Sequence, residues 1–221
     1  PDSLGSKYVV LAMKRLGYDA FSLGDQEFTL GVLHARKIAD ELPVVCNNVM
    51  IKNGNSWSSP FPRHRIVERP GVKIGIIGVI GKGVFEYYPD SIKKSVRIGD
   101  EVSEIRKDVA SLKRKGATMI VLLSHMGMDR DKELQPKLDG VHVIVGGHTQ
   151  NLIANPEIRS NSIIVQAGAD GAHIGVLKLR FEQGKITGFS NSFILPTNES
   201  TRDDPDIRKL IADYRKEVKV Q

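Results

Sequence analysis

Four short apolar runs in this chain end at side chains that carry nitrogen or oxygen donors, and that repeated ending constrains the fold more than any other feature. Val141–Val145 continues into Gly146-Gly147-His148-Thr149-Gln150, and Met119–Leu123 into Ser124-His125-Met126-Gly127. Ala20–Leu23 continues into Gly24-Asp25-Gln26-Glu27-Phe28, and Pro43–Val49 closes around Asn47-Asn48. β-Branched runs of this kind are strands buried on both faces, and in open α/β sheets ligands collect beyond the carboxyl ends of such strands. The two glycines before His148 permit a tight turn, so that His148 and Gln150 project in the same general direction, one offering nitrogen and the other oxygen. Taken alone, that segment is equally well explained as a polar turn after a core strand. A second strand ending in histidine shifts the balance, because imidazoles and oxygen donors arriving from separate strands can hold one or two divalent cations with positions left open.

Between these runs the spacing turns helical. Tyr8, Val9, Ala12, Met13 and Leu16 recur at helical intervals and stop at Gly17, and further helices are expected over 32–42, 101–114 and 131–138. Strands are expected over 20–23, 44–49, 118–124 and 141–145, with a hairpin of 65–68 and 72–80 around Arg69-Pro70-Gly71. In the tail, 162–166, 174–181 and 186–195 read as consecutive strands suited to antiparallel pairing, and Asp203-Asp204-Pro205 opens a last amphipathic helix. This alternation predicts an α/β fold. The 221 residues suffice for one large domain over 1–200, followed by a linker helix over 201–221.

The net charge of +6 favours an anionic ligand only weakly, since the Lys and Arg residues of 106–115 and 208–219 are interleaved with Asp and Glu as on solvated helix faces. No aromatic interleaving points to a nucleic acid polymer, and no run of about 18 apolar residues points to a membrane span. Cys46 lies in an apolar run, where a buried thiol acts as a small hydrophobe, and His34, His64 and His142 read as packing or surface residues. The opening Pro1-Asp2-Ser3 reads as the start of an internal segment of something longer.

In their order and spacing, Leu16–Ala20, Gly24–Phe28, Asn48-Val49, Lys73–Gly78, Leu123–Gly127, Gly146–Gln150 and Val165–Gly168 resemble the calcineurin-like metallophosphoesterases. Within them the likeness is to the N-terminal catalytic domain of the 5′-nucleotidase family. The resemblance implies a four-layer α/β/β/α sandwich, incomplete at its N-terminus here, with a centre of two divalent ions (Zn, Mn or similar) that activates water against a phosphate ester. It implies Asp25, His125, His148 and Gln150 as metal ligands, with Asp25 where the family usually has asparagine. Asn48 and His173 become candidates for substrate contact.

Two departures qualify these expectations. Gln26 occupies the position of the family's catalytic histidine, and Thr29 that of the aspartate orienting it. Glutamine can donate a hydrogen bond but cannot supply a proton to a leaving alkoxide, so weak or altered chemistry is expected. The family's D-x-H and G-D motifs would lie upstream of Pro1, so this chain is expected to bind at most one cation and to be inactive alone. Loss of the first strands is expected to uncover apolar surface around Leu23 and Val45, leading to self-association or pairing with a missing N-terminal segment. The intact protein is expected to be a periplasmic or extracellular hydrolase of small phosphate esters in nucleotide catabolism. The alternatives are a thiosulfohydrolase-like enzyme, to which Glu27-Phe28-Thr29 bears a likeness, and an inactive metal-binding or interaction module.

Overall fold

The apolar run Ile74–Ile80 passes into the interior of the molecule and is buried from Gly75 on, where a segment without a polar face is forced to go. The computed structural model describes residues 3–197 and 202–220. In chain order the elements are α1 (Ser3–Leu16), β1 (Phe21–Ser22), α2 (Val32–Glu41), β2 (Val44–Val45), β3 (Val49–Asn53), β4 (Ser56–Ser58), β5 (His64–Arg69) and β6 (Val72–Ile80). There follow α3 (Asp90–Lys93), β7 (Val96–Ile98), α4 (Glu101–Arg114), β8 (Met119–His125), α5 (Met128–Leu134) and β9 (Val143–Gly146). The last are β10 (Ile158–Arg159), β11 (Ser162–Val165), β12 (Ile174–Glu182), β13 (Lys185–Ile194) and α6 (Pro205–Val220).

A six-stranded sheet in the order β10-β11-β9-β8-β6-β5 forms the centre. Its four inner strands are parallel and its two edges antiparallel. Helices α4 and α5 cover one face, where Ile105, Val109, Leu112 and Leu134 pack on Ile77, Val79, Ile120, Leu122 and Ile144. On the other face lie the parallel ribbon β1-β2 and the hairpin β12-β13, the latter setting Leu177, Leu179 and Phe181 on Val143 and Ile163. Helices α1 and α2 close that side over Leu23, Phe28, Val44 and Ile80, which gives the α/β/β/α layering. At Gly78 the approach of the two β layers is so close that a Cβ would lie 2.0 Å from the Val45 carbonyl oxygen.

Three expectations about elements need correction. The run 44–49 is two strands, because the Asn47 amide turns to the Gly78 carbonyl and Asn48 holds the end of β6 with both ends of its carboxamide. Helix α5 starts at Met128, earlier than expected, and gives way after Leu134 to a 3-10 turn carrying Pro136, whose ring supplies no amide hydrogen. The run 162–165 joins the central sheet parallel to β9 and not the tail's antiparallel pair, in keeping with Ser162, Ile163 and Ile164 all being buried.

Leu23 and Val45, expected at an uncovered surface, are both 0% exposed, since the first sits in the core beside Phe28 and the second lies under β6. Helix α6 runs along α1, with Tyr8 against Tyr214 at 5.4 Å between ring centroids and the Tyr8 hydroxyl donating to Glu217 at 2.6 Å. The expected boundary at 200/201 falls outside the described residues. No described helix is long and apolar enough to cross a membrane.

Candidate metal centre

Strand register assembles the site. Ile80 pairs with His125 and Ser124 with Gly146, so the carboxyl ends of β6, β8 and β9 stop side by side. Beyond β9 the chain must pass directly over His125. A Cβ on Gly147 would lie 3.1 Å from the Ser124 carbonyl oxygen and 3.3 Å from His125 Nδ1, so glycine is what permits the crossing. His148 and Gln150 then take left-handed backbone conformations, at φ 67° and 56°, which non-glycine residues adopt at some cost and which gather at ligand-binding turns. Thr149 fastens the loop by accepting a hydrogen bond from the Met128 amide at 3.1 Å.

From the opposite layer, β1 delivers Asp25. Glu27 closes the turn by accepting the Gly24 amide at 2.7 Å, and Phe28 anchors it in the core. Gly24 lies flat beneath the His125 imidazole, with the position of a Cβ only 2.7 Å from Cε1 and 2.9 Å from each ring nitrogen. His125 Nε2 donates to Asp25 Oδ1 at 2.7 Å, and the Tyr88 hydroxyl donates to Oδ2 at 2.9 Å. Burial opposes ionisation of Asp25, but the hydrogen bonds from His125 and Tyr88 outweigh it and hold the carboxyl below its ordinary value.

His148 Nδ1 lies 3.3 Å from His125 Nε2 and 3.8 Å from Asp25 Oδ1. Three donor atoms thus surround a space in which the His125 Nε2 proton already points at Asp25, an arrangement that a cation satisfies better than a proton does. A divalent ion about 2.1 Å from each of three ligands would set them roughly 3.4 Å apart in tetrahedral geometry. The observed separations of 2.7, 3.3 and 3.8 Å bracket that value, and one carboxylate with two imidazoles is a donor set for Zn or Mn. The residues present therefore fit one divalent ion, and among the described residues this is the one group of three His, Cys, Asp or Glu side chains so placed.

The other expected site residues are more scattered. Gln150 is exposed and its side chain makes no hydrogen bond among the described residues. With the Gln166 carboxamide oxygen turned toward the loop, that oxygen accepts the Gln150 and Asn151 amides at 3.0 and 3.3 Å. Gln26 is exposed on a one-turn 3-10 helix, and the Thr29 hydroxyl donates to its backbone carbonyl at 2.7 Å. Asn48 is buried, its amide nitrogen donating to the Ile80 carbonyl at 2.7 Å and its oxygen accepting the Ile80 amide at 3.0 Å. His173 stacks edge-on to Phe193 at 5.8 Å, and its buried Nδ1 has no partner among the described residues.

Behind this cluster, Ser124 donates to Asp131 at 2.5 Å, while the second oxygen of this fully buried carboxyl has no partner among the described residues. Burial pushes Asp131 up to about 6 against the opposing pull of Ser124 and His125. Burial likewise pushes the Cys46 thiol up to about 12, so it carries no thiolate at neutral pH. His142 is a core residue whose Nδ1 accepts the Ile120 amide at 2.9 Å. His64 begins β5, its Nδ1 donating to Asp108 at 2.9 Å. Sequence reasoning missed Tyr88 and Gly24. Nothing periodic marks the loop that carries Tyr88, whereas Gly24 could have been suspected from a glycine standing directly before a carboxylate at a strand end.

No protein-family model matches the chain. It is 28% identical to the 5′-nucleotidase of Bos taurus over 232 residues, which take in 92% of this chain and 39% of the bovine protein. Its backbone superposes on the 5′-nucleotidase precursor of Thermus thermophilus with a TM-score of 0.87 at 27% identity, over 99% of this chain and 46% of that one. The same fold recurs in the Thermus thermophilus sulfate thiohydrolase SoxB, with a TM-score of 0.86 at 21% identity over 96% of this chain and 40% of that one. It recurs again in the calcineurin-like phosphoesterase YfkN of Bacillus subtilis, with a TM-score of 0.80 at 20% identity over 95% and 73%. The chain thus spans less than half the length of the bovine and Thermus 5′-nucleotidases it matches. The sheet order, the strand-end donors and these relatives agree: over nearly its whole length the chain is similar to the N-terminal part of 5′-nucleotidases and, in fold, to a calcineurin-like phosphoesterase.

Proposed function

We propose that the protein carrying this chain is a metal-dependent phosphoester hydrolase acting on nucleotides or related small phosphate esters in a periplasmic or extracellular setting. The observation that carries this reading is the convergence of Asp25, His125 and His148 at the carboxyl end of the central sheet. A divalent ion held there supplies Lewis acidity toward a phosphoryl oxygen and lowers the pKa of water. The chain's own residues set the remaining chemistry. Asp25, ionised and hydrogen-bonded on both oxygens, contributes the negative charge that retains the cation. His148, the exposed member of the cluster, leaves the site open to solvent on its side.

Gln26 lies on the rim and can donate its amide to a phosphate oxygen, but it cannot deliver a proton. A general acid contributes about 100- to 10,000-fold, so its loss falls on substrates with poor leaving groups. Thr29 bonds to the Gln26 backbone and leaves the Gln26 side chain unoriented. A second reading, hydrolysis of a thiosulfonate, is favoured by that same missing proton donor, because a leaving group of low basicity needs no protonation. We assign Asn48 to shaping the β2–β3 turn, and neither Asn48 nor His173 bonds to the cluster.

Assay of the full-length protein with Mn2+ or Zn2+ against nucleotides and a thiosulfonate tests the proposal. Phosphate release that requires the metal and is lost in His125→Ala is expected. Gln26→His should raise turnover of an unactivated nucleotide more than that of a nitrophenyl ester. Cleavage of the thiosulfonate alone would establish the second reading, and full metal occupancy without turnover of either substrate would leave a binding module.

A further inference from the structure

Residues 81–88 leave the end of β6 and wind back over the site through successive tight turns, in which the Val84, Glu86 and Tyr88 amides donate to the Gly81, Gly83 and Phe85 carbonyls. Phe85 pins this loop in the core. Its ring meets Phe28 edge-on at 5.3 Å and Tyr88 edge-on at 5.3 Å. Phe28 belongs to the turn that carries Asp25, so the series Phe28, Phe85, Tyr88 couples the loop directly to the carboxylate through edge-to-face contacts that fix ring orientation. The phenol oxygen thereby arrives 2.9 Å from Asp25 Oδ2, and Thr29 neighbours the same hydroxyl. The adjacent Tyr87 is 92% exposed, so the loop presents one tyrosine to solvent and commits the other to the site.

The two oxygens of Asp25 are consequently unlike. Oδ1 faces His125 and His148, whereas Oδ2 is held by the phenol. We propose that Tyr88 is a positioning residue of the metal centre, which by donating to Oδ2 presents Asp25 as a one-oxygen ligand through Oδ1. This inference rests on the reading of Asp25, His125 and His148 as a cation site. A carboxylate already fixed in plane has less rotational freedom to lose when a cation binds, and its second oxygen is kept from competing for the ion. Partners of this kind typically change metal affinity 10- to 100-fold when removed.

The test is a Mn2+ titration of the metal-stripped full-length protein, as wild type, Tyr88→Phe, Asp25→Ala, the double variant and His148→Ala. Thermal unfolding is measured in chelator, and the visible spectrum of the Co2+ adduct is recorded. Tyr88→Phe should weaken Mn2+ binding by about 10- to 100-fold and shift the Co2+ absorption while leaving the metal-free Tm unchanged. In the Asp25→Ala background the same change should cost nothing further, because the phenol acts only through that carboxylate. Should Tyr88→Phe also lower the metal-free Tm, the double variant decides, since a general loss of folding would add to the effect of Asp25→Ala. Mn2+ affinity within twofold of wild type in Tyr88→Phe, with His148→Ala weakened, would overturn the role of Tyr88 and leave the metal site standing. Equal Mn2+ affinity in wild type and His148→Ala would overturn the site itself.

Discussion

Replacing Gly24 by alanine adds one methyl group beneath the His125 imidazole. The new Cβ would lie 2.7 Å from His125 Cε1 and 2.9 Å from both ring nitrogens, whereas carbon atoms rest about 3.5–4.0 Å apart. Roughly 0.8–1 Å must therefore be found between the turn and the ring. The turn has little to give, since the fully buried Leu23 and Phe28 flank Asp25 and Glu27 ties the Gly24 amide. The imidazole should move instead. That displacement stretches the 2.7 Å bond from His125 to Asp25 past hydrogen-bonding range and spreads the three donor atoms. Overpacking of this kind costs about 1–3 kcal/mol in stability, and misplacing a ligand costs on the order of 10- to 100-fold in metal affinity. Gly24 does not hold a left-handed backbone, so alanine adds bulk without backbone strain. Calorimetric titration with Mn2+ and thermal unfolding in chelator measure the two effects separately. An alanine variant that binds Mn2+ as tightly as wild type and melts within 1 °C of it, against the roughly 2–4 °C per kcal/mol expected at this size, would refute the seating of His125 on Gly24.

Two further perturbations follow from buried charge. The Asp131 carboxyl, raised from 3.8 to about 6 by burial, favours folding fully below about pH 4 and loses that contribution as the pH climbs through 6. At about 1.4 kcal/mol per tenfold change in proton affinity this amounts to about 3 kcal/mol, so in chelator Asp131→Asn should gain that much on wild type between pH 4 and pH 8. A difference that does not vary with pH would contradict the burial argument. Asp108 accepts from Arg63 Nε at 3.0 Å, Arg63 Nη2 at 2.9 Å, Asn47 at 2.9 Å and His64 at 2.9 Å, joining β5, α4 and the segment after β2. Asp108→Ala strands these donors and should cost about 3–5 kcal/mol by chemical denaturation, and a loss under 1 kcal/mol would show that Arg63 finds solvent instead.

The fold was legible wherever hydrophobic period and burial agree. Ile74–Ile80 and Val143–Gly146 carry no polar side chain on either face and read as inner strands, and α4 matches its expected span because Asp100 caps it and Ile105, Val109 and Leu112 share one face. The pattern misleads where a side chain competes with the ladder. Asn48 takes both backbone groups of Ile80 and breaks an apolar run that otherwise reads as one strand. The partner of 162–165 was hidden for another reason: nothing local tells a parallel neighbour from an antiparallel one. That His125 and His148 would meet was readable because β8 and β9 are neighbours in one sheet and end together, and Asp25 joins them from β1 of the opposite layer, also just past a strand end. Tyr88 was not, since its place depends on how Phe85 meets Phe28 across layers.

The central claim is that Asp25, His125 and His148 share one divalent ion. Anomalous diffraction at the manganese edge, from crystals of the protein grown with Mn2+, tests it without recourse to any substrate. The account predicts a peak within about 2.3 Å of Asp25 Oδ1, His125 Nε2 and His148 Nδ1 together, a reach drawn from ordinary coordination distances. A well-ordered site with no peak there, or a peak that leaves His148 or Asp25 unbound, would contradict it.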